Sequence, residues 1–153
     1  MSALPTVPVY MPSGNSVVAL VLSQLARLTG EGRWREAADL QLRWLAGATA
    51  DYPAGHSFAM LTFLEELWPS TELVVTAQEI PEELRTFLRE KPHPGLTVLV
   101  KTAENASVLE ATAPFTKDYP IPEQGARYYL CQNGACAQPV DRISKLEALW
   151  DPN

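Results

Sequence analysis

Apolar residues recur at helical spacing through the first 68 positions and at strand spacing after position 70. Pro5, Pro8 and Pro12 make residues 1–12 an extended lead-in. Ser13-Gly14-Asn15-Ser16 then offers N-cap oxygens ahead of an apolar helix that Gly30 closes. A second helix is predicted from about Arg33 through Trp34, Ala37, Ala38, Trp44, Leu45 and Ala48, stopping before Pro53. A third spans residues 54–67 and carries Phe58, Met60, Leu61, Phe63 and Leu64. It ends at Trp68, whose following proline disfavours helical backbone.

These helices differ in how much of their surface is apolar. Arg33, Arg35, Glu36, Asp39 and Arg43 give the middle one a solvent face. The first and third are apolar over most of their circumference, which predicts burial on more than one side. Inner, outer, inner is the alternation of layered helical hairpins. Three helices cannot cover two such surfaces, so the cover must come from the second half, an oligomer partner, or sequence beyond this chain.

Residues 72–76 form a β-rich run, residues 81–89 a helix with proline and acids in its first turn, and residues 96–100 a second strand. Strand, helix, strand with short connections predicts a parallel βαβ unit. A short helix over residues 106–111 and a Pro/Gly-rich loop over 114–125 follow. Two strands, at about 127–131 and 136–138, flank Asn133-Gly134, the strongest short hairpin signal. A type I′ turn there sets Cys131 opposite Cys136. Residues 144–150 close the chain as a helix. The expected class is mixed α+β, with a three-helix segment over residues 1–69 and a small α/β subdomain over 70–153.

Composition narrows the function classes. The chain has 153 residues, enough to bury a core, and its 46% hydrophobic and 20% charged content is that of a globular protein. A formal net charge of -6 with no Lys/Arg cluster argues against nucleic acid. The longest apolar run, residues 17–22, is too short to span a bilayer, so no membrane role is expected. No Lys or Arg precedes Arg27, so the basic start of a signal peptide is missing and a cytoplasmic location is expected.

Four features invite chemistry. Cys131 and Cys136 are open to three readings. As a metal site they supply two thiolates at C-x4-C spacing, where structural zinc wants four ligands. As a redox-active dithiol they lack an adjoining base or helix N-terminus to depress a thiol pKa. The third reading is two small apolar residues packed on a hairpin face and reduced. Ser13 and Asn15 are binding candidates, because backbone N–H groups at a helix start can hold an anion or a sugar hydroxyl. Plain N-capping is the commoner use. The carboxyl ends of the parallel strands, near Ala77-Gln78-Glu79 and Lys101-Thr102-Ala103, lie where open α/β sheets place ligands. No glycine-rich phosphate loop accompanies them, and no cofactor is implied. Glu65-Glu66 and Glu82-Glu83 read as solvated helix faces, since adjacent helical residues diverge. His93, between two prolines, reads as an exposed turn residue.

Pro12-Ser13-Gly14-Asn15-Ser16-Val17, Leu25-Ala26-Arg27-Leu28-Thr29-Gly30 and the Tyr129 to Val140 stretch, with its C-x4-C-x2-PV pattern, resemble one family in order. This is the C-terminal end of the YyaL-like, spermatogenesis-associated thioredoxin-domain proteins. The resemblance implies the last hairpins of an (α/α)6 barrel similar to N-acylglucosamine 2-epimerases. It implies that the thioredoxin-like domain and most of the barrel lie outside this chain and are its partners, with self-association through the apolar helices as the other option. The family's Cys-x-x-Cys has no counterpart at Cys131 and Cys136. Three functions are therefore expected in turn: a structural region that is no enzyme by itself, a contributor of Ser13 and Asn15 to a carbohydrate pocket for a small-molecule ligand, or a Cys131/Cys136 dithiol. Sugar chemistry rests on likeness of fold rather than of site.

Overall fold

A computed structural model describes residues 12–68, 70–93, 95–132 and 135–150. Helix α1 (Gly14–Thr29) starts where the Ser13 hydroxyl accepts the Ser16 N–H, and ends at Gly30, whose φ of 70° lets its N–H reach the Ala26 carbonyl. Helix α2 (Gly32–Thr49) packs against α1, and α3 (Ser57–Leu67) contacts both. Ala19, Ala38 and Ala59 are fully buried, and Ala19 and Ala59 join Leu45 in the core of the layer. Residues 54–56, predicted as the first turn of the third helix, instead belong to a tight 3-10 turn, Pro53–His56. Pro53 supports such a start because it has no N–H to lose.

The second half is a four-stranded mixed sheet in the order β2-β1-β3-β4. Strands β1 (Thr71–Ala77) and β2 (Leu96–Thr102) are parallel, joined through α4 (Glu82–Glu90), as the βαβ reading predicts. Strand β3 (Ala126–Gln132) returns antiparallel to β1, and the short β4 (Ala135–Cys136) pairs with β3. Between β2 and β3 run α5 (Ala106–Thr112) and a 3-10 turn, Pro114–Asp118, within what reads in sequence as loop. Helix α6 (Ile143–Leu149) follows β4.

Strand alternation sorts this sheet into two faces. Leu73, Val75, Ala77, Tyr128 and Leu130 meet Leu84 and Phe87 of α4, Leu146 of α6 and Trp150, forming the main core. Phe87 and Trp150 meet edge to face at 4.8 Å. His93 is half-buried, its ring 5.6 Å from that of Trp150, which corrects its reading as an exposed turn residue. The other face carries Val74, Thr76, Lys101 and Tyr129, covered in part by Phe115 and Tyr119.

The expected all-round burial of the first and third helices does not occur within the described residues. Val17, Val18 and Val21 of α1 are exposed, as are Leu61, Leu64 and Leu67 of α3 and Trp68, with Leu67 at 83%. The sheet half meets α1 through β2 and cannot wrap the outward sides of α1 and α3.

Candidate functional site

The hairpin register is as the turn signal predicts: Cys131 faces Cys136 and Gln132 faces Ala135. The Asn133-Gly134 turn itself lies outside the described residues. The cysteines are joined as a disulfide with Cα atoms 3.9 Å apart, so the reduced, packed reading is corrected. Only Cys131 is buried; Cys136 stands exposed on the two-residue β4. Cys131 lies opposite Glu72 of β1. A carboxylate there opposes a thiolate, which does not suit a nucleophilic dithiol. In the unfolded oxidised protein, thiol titration should therefore find no free thiol, and two after reduction. Because the bridge closes a short loop, Cys136→Ser is expected to cost no more than about 2 kcal/mol in urea unfolding.

Ser13 and Asn15 are exposed on the first turn of α1. The Ser13 hydroxyl is engaged as the N-cap and lies 2.7 Å from that of Ser16, while the Asn15 carbonyl accepts from Gln41 Nε2 at 3.3 Å. Neither residue lines any of the clefts described below. Their geometry is that of a capped helix start.

The carboxyl ends of β1 and β2 differ from one another. Beyond β1 opens a cleft of about 420 Å³ lined by Gln78, Glu79, Ile80, Pro81, Glu83, Gly125 and Ala126. Nearby, the Tyr128 hydroxyl donates to Glu83 Oε1 at 3.2 Å; burial first, and the Glu83 carboxylate second, push its pKa upward. The end of β2 is held differently. Lys101 is turned inward, 4% exposed along its side chain. Its Nζ donates to the carbonyls of Thr116 (2.8 Å) and Tyr119 (3.0 Å) and pairs with Glu110 Oε1 at 2.7 Å. All three ammonium protons have partners, so Lys101 holds the 3-10 turn against the sheet and is not available to a ligand.

The Glu65-Glu66 pair is not the solvated face expected from its spacing. Arg27 of α1 reaches Glu65 Oε1 at 3.4 Å, the Glu65 carbonyl at 3.1 Å and Glu66 Oε1 at 3.3 Å. Arg35 of α2 reaches Glu66 Oε2 at 2.9 Å and also holds Asp39. Burial raises the Glu66 pKa. The nearby Ser23 hydroxyl, the hydrogen bond from Arg35 and the charges of Arg35 and Arg27 outweigh it and leave that pKa below the usual carboxylate range. One carboxylate thus ties together three helices.

Two adjoining apolar grooves run over α3. One, of about 590 Å³, is bordered by Pro53, Ala54, Ser57 and Met60; the other, of about 400 Å³, by Leu20, Phe58, Thr62 and Trp68. Leu61 and Leu64 line both. Among the described residues no group of three or more His, Cys, Asp or Glu is placed to hold a metal ion, and no helix is long and apolar enough to cross a membrane. No family model, curated protein or solved structure matches this chain.

Proposed function

We propose that this chain is a structural, non-catalytic region that completes a larger helical assembly, as the C-terminal part of a thioredoxin-domain, α/α-barrel protein would. The observation that supports this reading is the set of exposed apolar side chains on α1 and α3, Val17, Val18 and Val21 on the first and Leu61, Leu64 and Leu67 on the second, with Trp68 beyond it. Large exposed apolar patches on a globular chain mark interaction surfaces. The sequence resemblance supplies the partner class, further helical hairpins of the same barrel, with a second copy of the chain as the substitute when those are absent. Ser13 and Asn15 support the carbohydrate alternative less well, since the first is engaged in its cap and neither lines the grooves over α3 or the cleft beyond β1.

The test uses an environment-sensitive dye and light scattering on the isolated chain. Strong dye binding or concentration-dependent association is expected, and Leu61→Asp with Leu64→Asp should reduce both several-fold while the circular dichroism spectrum is retained. A monomer that binds no dye would remove this reading. In a full-length protein, loss of sugar turnover on Asn15→Ala would favour the carbohydrate alternative instead.

A further inference from the structure

Strand β2 is an edge of the sheet, and it lacks the proline and outward charge that commonly protect an edge. It runs seven residues with no proline inside it. Its one charge, Lys101, is turned onto the carbonyls of Thr116 and Tyr119 rather than outward. Such a long apolar edge is a template for pairing with another strand.

The Asn105 side chain meets this edge. Its Nδ2 donates to the Val100 carbonyl at 2.9 Å and its Oδ1 accepts the Thr102 N–H at 2.8 Å. In a parallel ladder, the residue opposite Lys101 would donate to the carbonyl before it and accept from the N–H after it. The Asn105 amide does both and stands in for the peptide group of a missing strand. Asn105 also occupies the N-cap position of α5, yet makes no side-chain capping bond there. The residue's usual helix-capping use has been given over to the strand. At the other end of β2 the Leu96 N–H is taken by the His93 carbonyl at 3.3 Å. Within the described residues, no hydrogen bond reaches the outward groups left between these two ends, the Leu96 carbonyl, both groups of Val98 and the Val100 N–H.

We propose that Asn105 is a built-in stop on the open edge of β2, and that the partner it holds off is a second copy of this chain adding antiparallel through Leu96–Thr102. The sequence of β2 suits itself as that partner. With a two-fold axis at Leu99, Val98 faces Val100, Thr97 faces Lys101 and Leu96 faces Thr102, so no like charges meet. This full-length register needs the Val100 carbonyl and Thr102 N–H that Asn105 now holds. The stop is separate from the apolar helices and does not depend on the function proposed for them.

The experiment compares the whole chain with its Asn105→Ala and Asn105→Asp variants by light scattering and by amide hydrogen exchange over a concentration series. Aspartate can still accept from Thr102 but cannot donate to Val100, so it retains half of the stop and tests the idea if the alanine variant does not fold. Expected is a rise in mass of the variants above that of the native chain. With it, the exchange of the Val98 and Val100 amides should slow by roughly tenfold between dilute and concentrated samples, in the variants alone. A folded variant whose mass and whose Val98 and Val100 exchange follow the native chain at every concentration overturns the proposal. So does association that is equal in native chain and variants and leaves Val98 and Val100 unprotected, because that is pairing through the helices.

Discussion

Replacing Lys101 with methionine is expected to lower the stability of the fold by about 3 kcal/mol, although the substitution nearly preserves side-chain volume. Methionine keeps an unbranched stem in the same space but takes away three donors. The Tyr119 carbonyl, which now accepts from Nζ, would lose that partner beneath the 3-10 turn Pro114–Asp118, and the Thr116 carbonyl would keep only the Tyr119 N–H. One buried acceptor left unpaired costs on the order of 1–3 kcal/mol, the lost charge-assisted bond to Thr116 adds to it, and Glu110, one-third exposed, turns to water at little further cost. The damage should begin locally. The Thr116 and Tyr119 amides, bonded within the turn to the Ala113 and Thr116 carbonyls, should exchange faster than those of β1. Tyr119 should then loosen from Tyr129, whose ring it meets at 4.7 Å. Urea unfolding with an unchanged slope and a lowered midpoint is the expected signature. An unchanged midpoint would mean that water replaces Nζ without cost.

Lys101 also shows where the sequence stops being legible. Runs of β-forming residues place β1 and β2, the acids and Pro81 place α4, and Asn133-Gly134 places β3 and sets the Cys131–Cys136 register, because each is a local signal. The mixed α+β class follows from them. The burial of Lys101 does not, since its acceptors belong to a turn 15 and 18 residues further on that reads as loop. Glu66 was misread for the same reason, as its partners stand on two other helices. Asn105 offers a signal that could have been found: an Asn three residues past a strand end, ahead of a short helix, is an Asx-type position. Its reach back to Val100 and Thr102 nevertheless depends on the strand having no outer neighbour. The apolar face of α1 and α3 was legible as apolar, while the part of it that this chain covers was not.

Glu66→Ala is expected to cost about 2–3 kcal/mol, the second largest effect, and to act through the helical layer. Glu66 is 17% exposed and Arg27 14%, so their contact is more than a surface ion pair. Arg35 is 42% exposed and can turn to water, which holds the estimate below that for a fully buried pair. Arg27 keeps Glu65 in the variant, so the junction of α1 with α3 should weaken without parting. The pH dependence gives an independent check. The folded-state pKa of Glu66 lies below its ordinary value, so its contribution is complete above the unfolded-state pKa of about 4.3 and is lost as pH falls through the lower folded-state value. The native chain should therefore lose stability on acidification through that window more steeply than the alanine variant, and the two should converge once Glu66 is protonated. Parallel curves across the acid range would show that Glu66 is not the carboxylate that ties the three helices together.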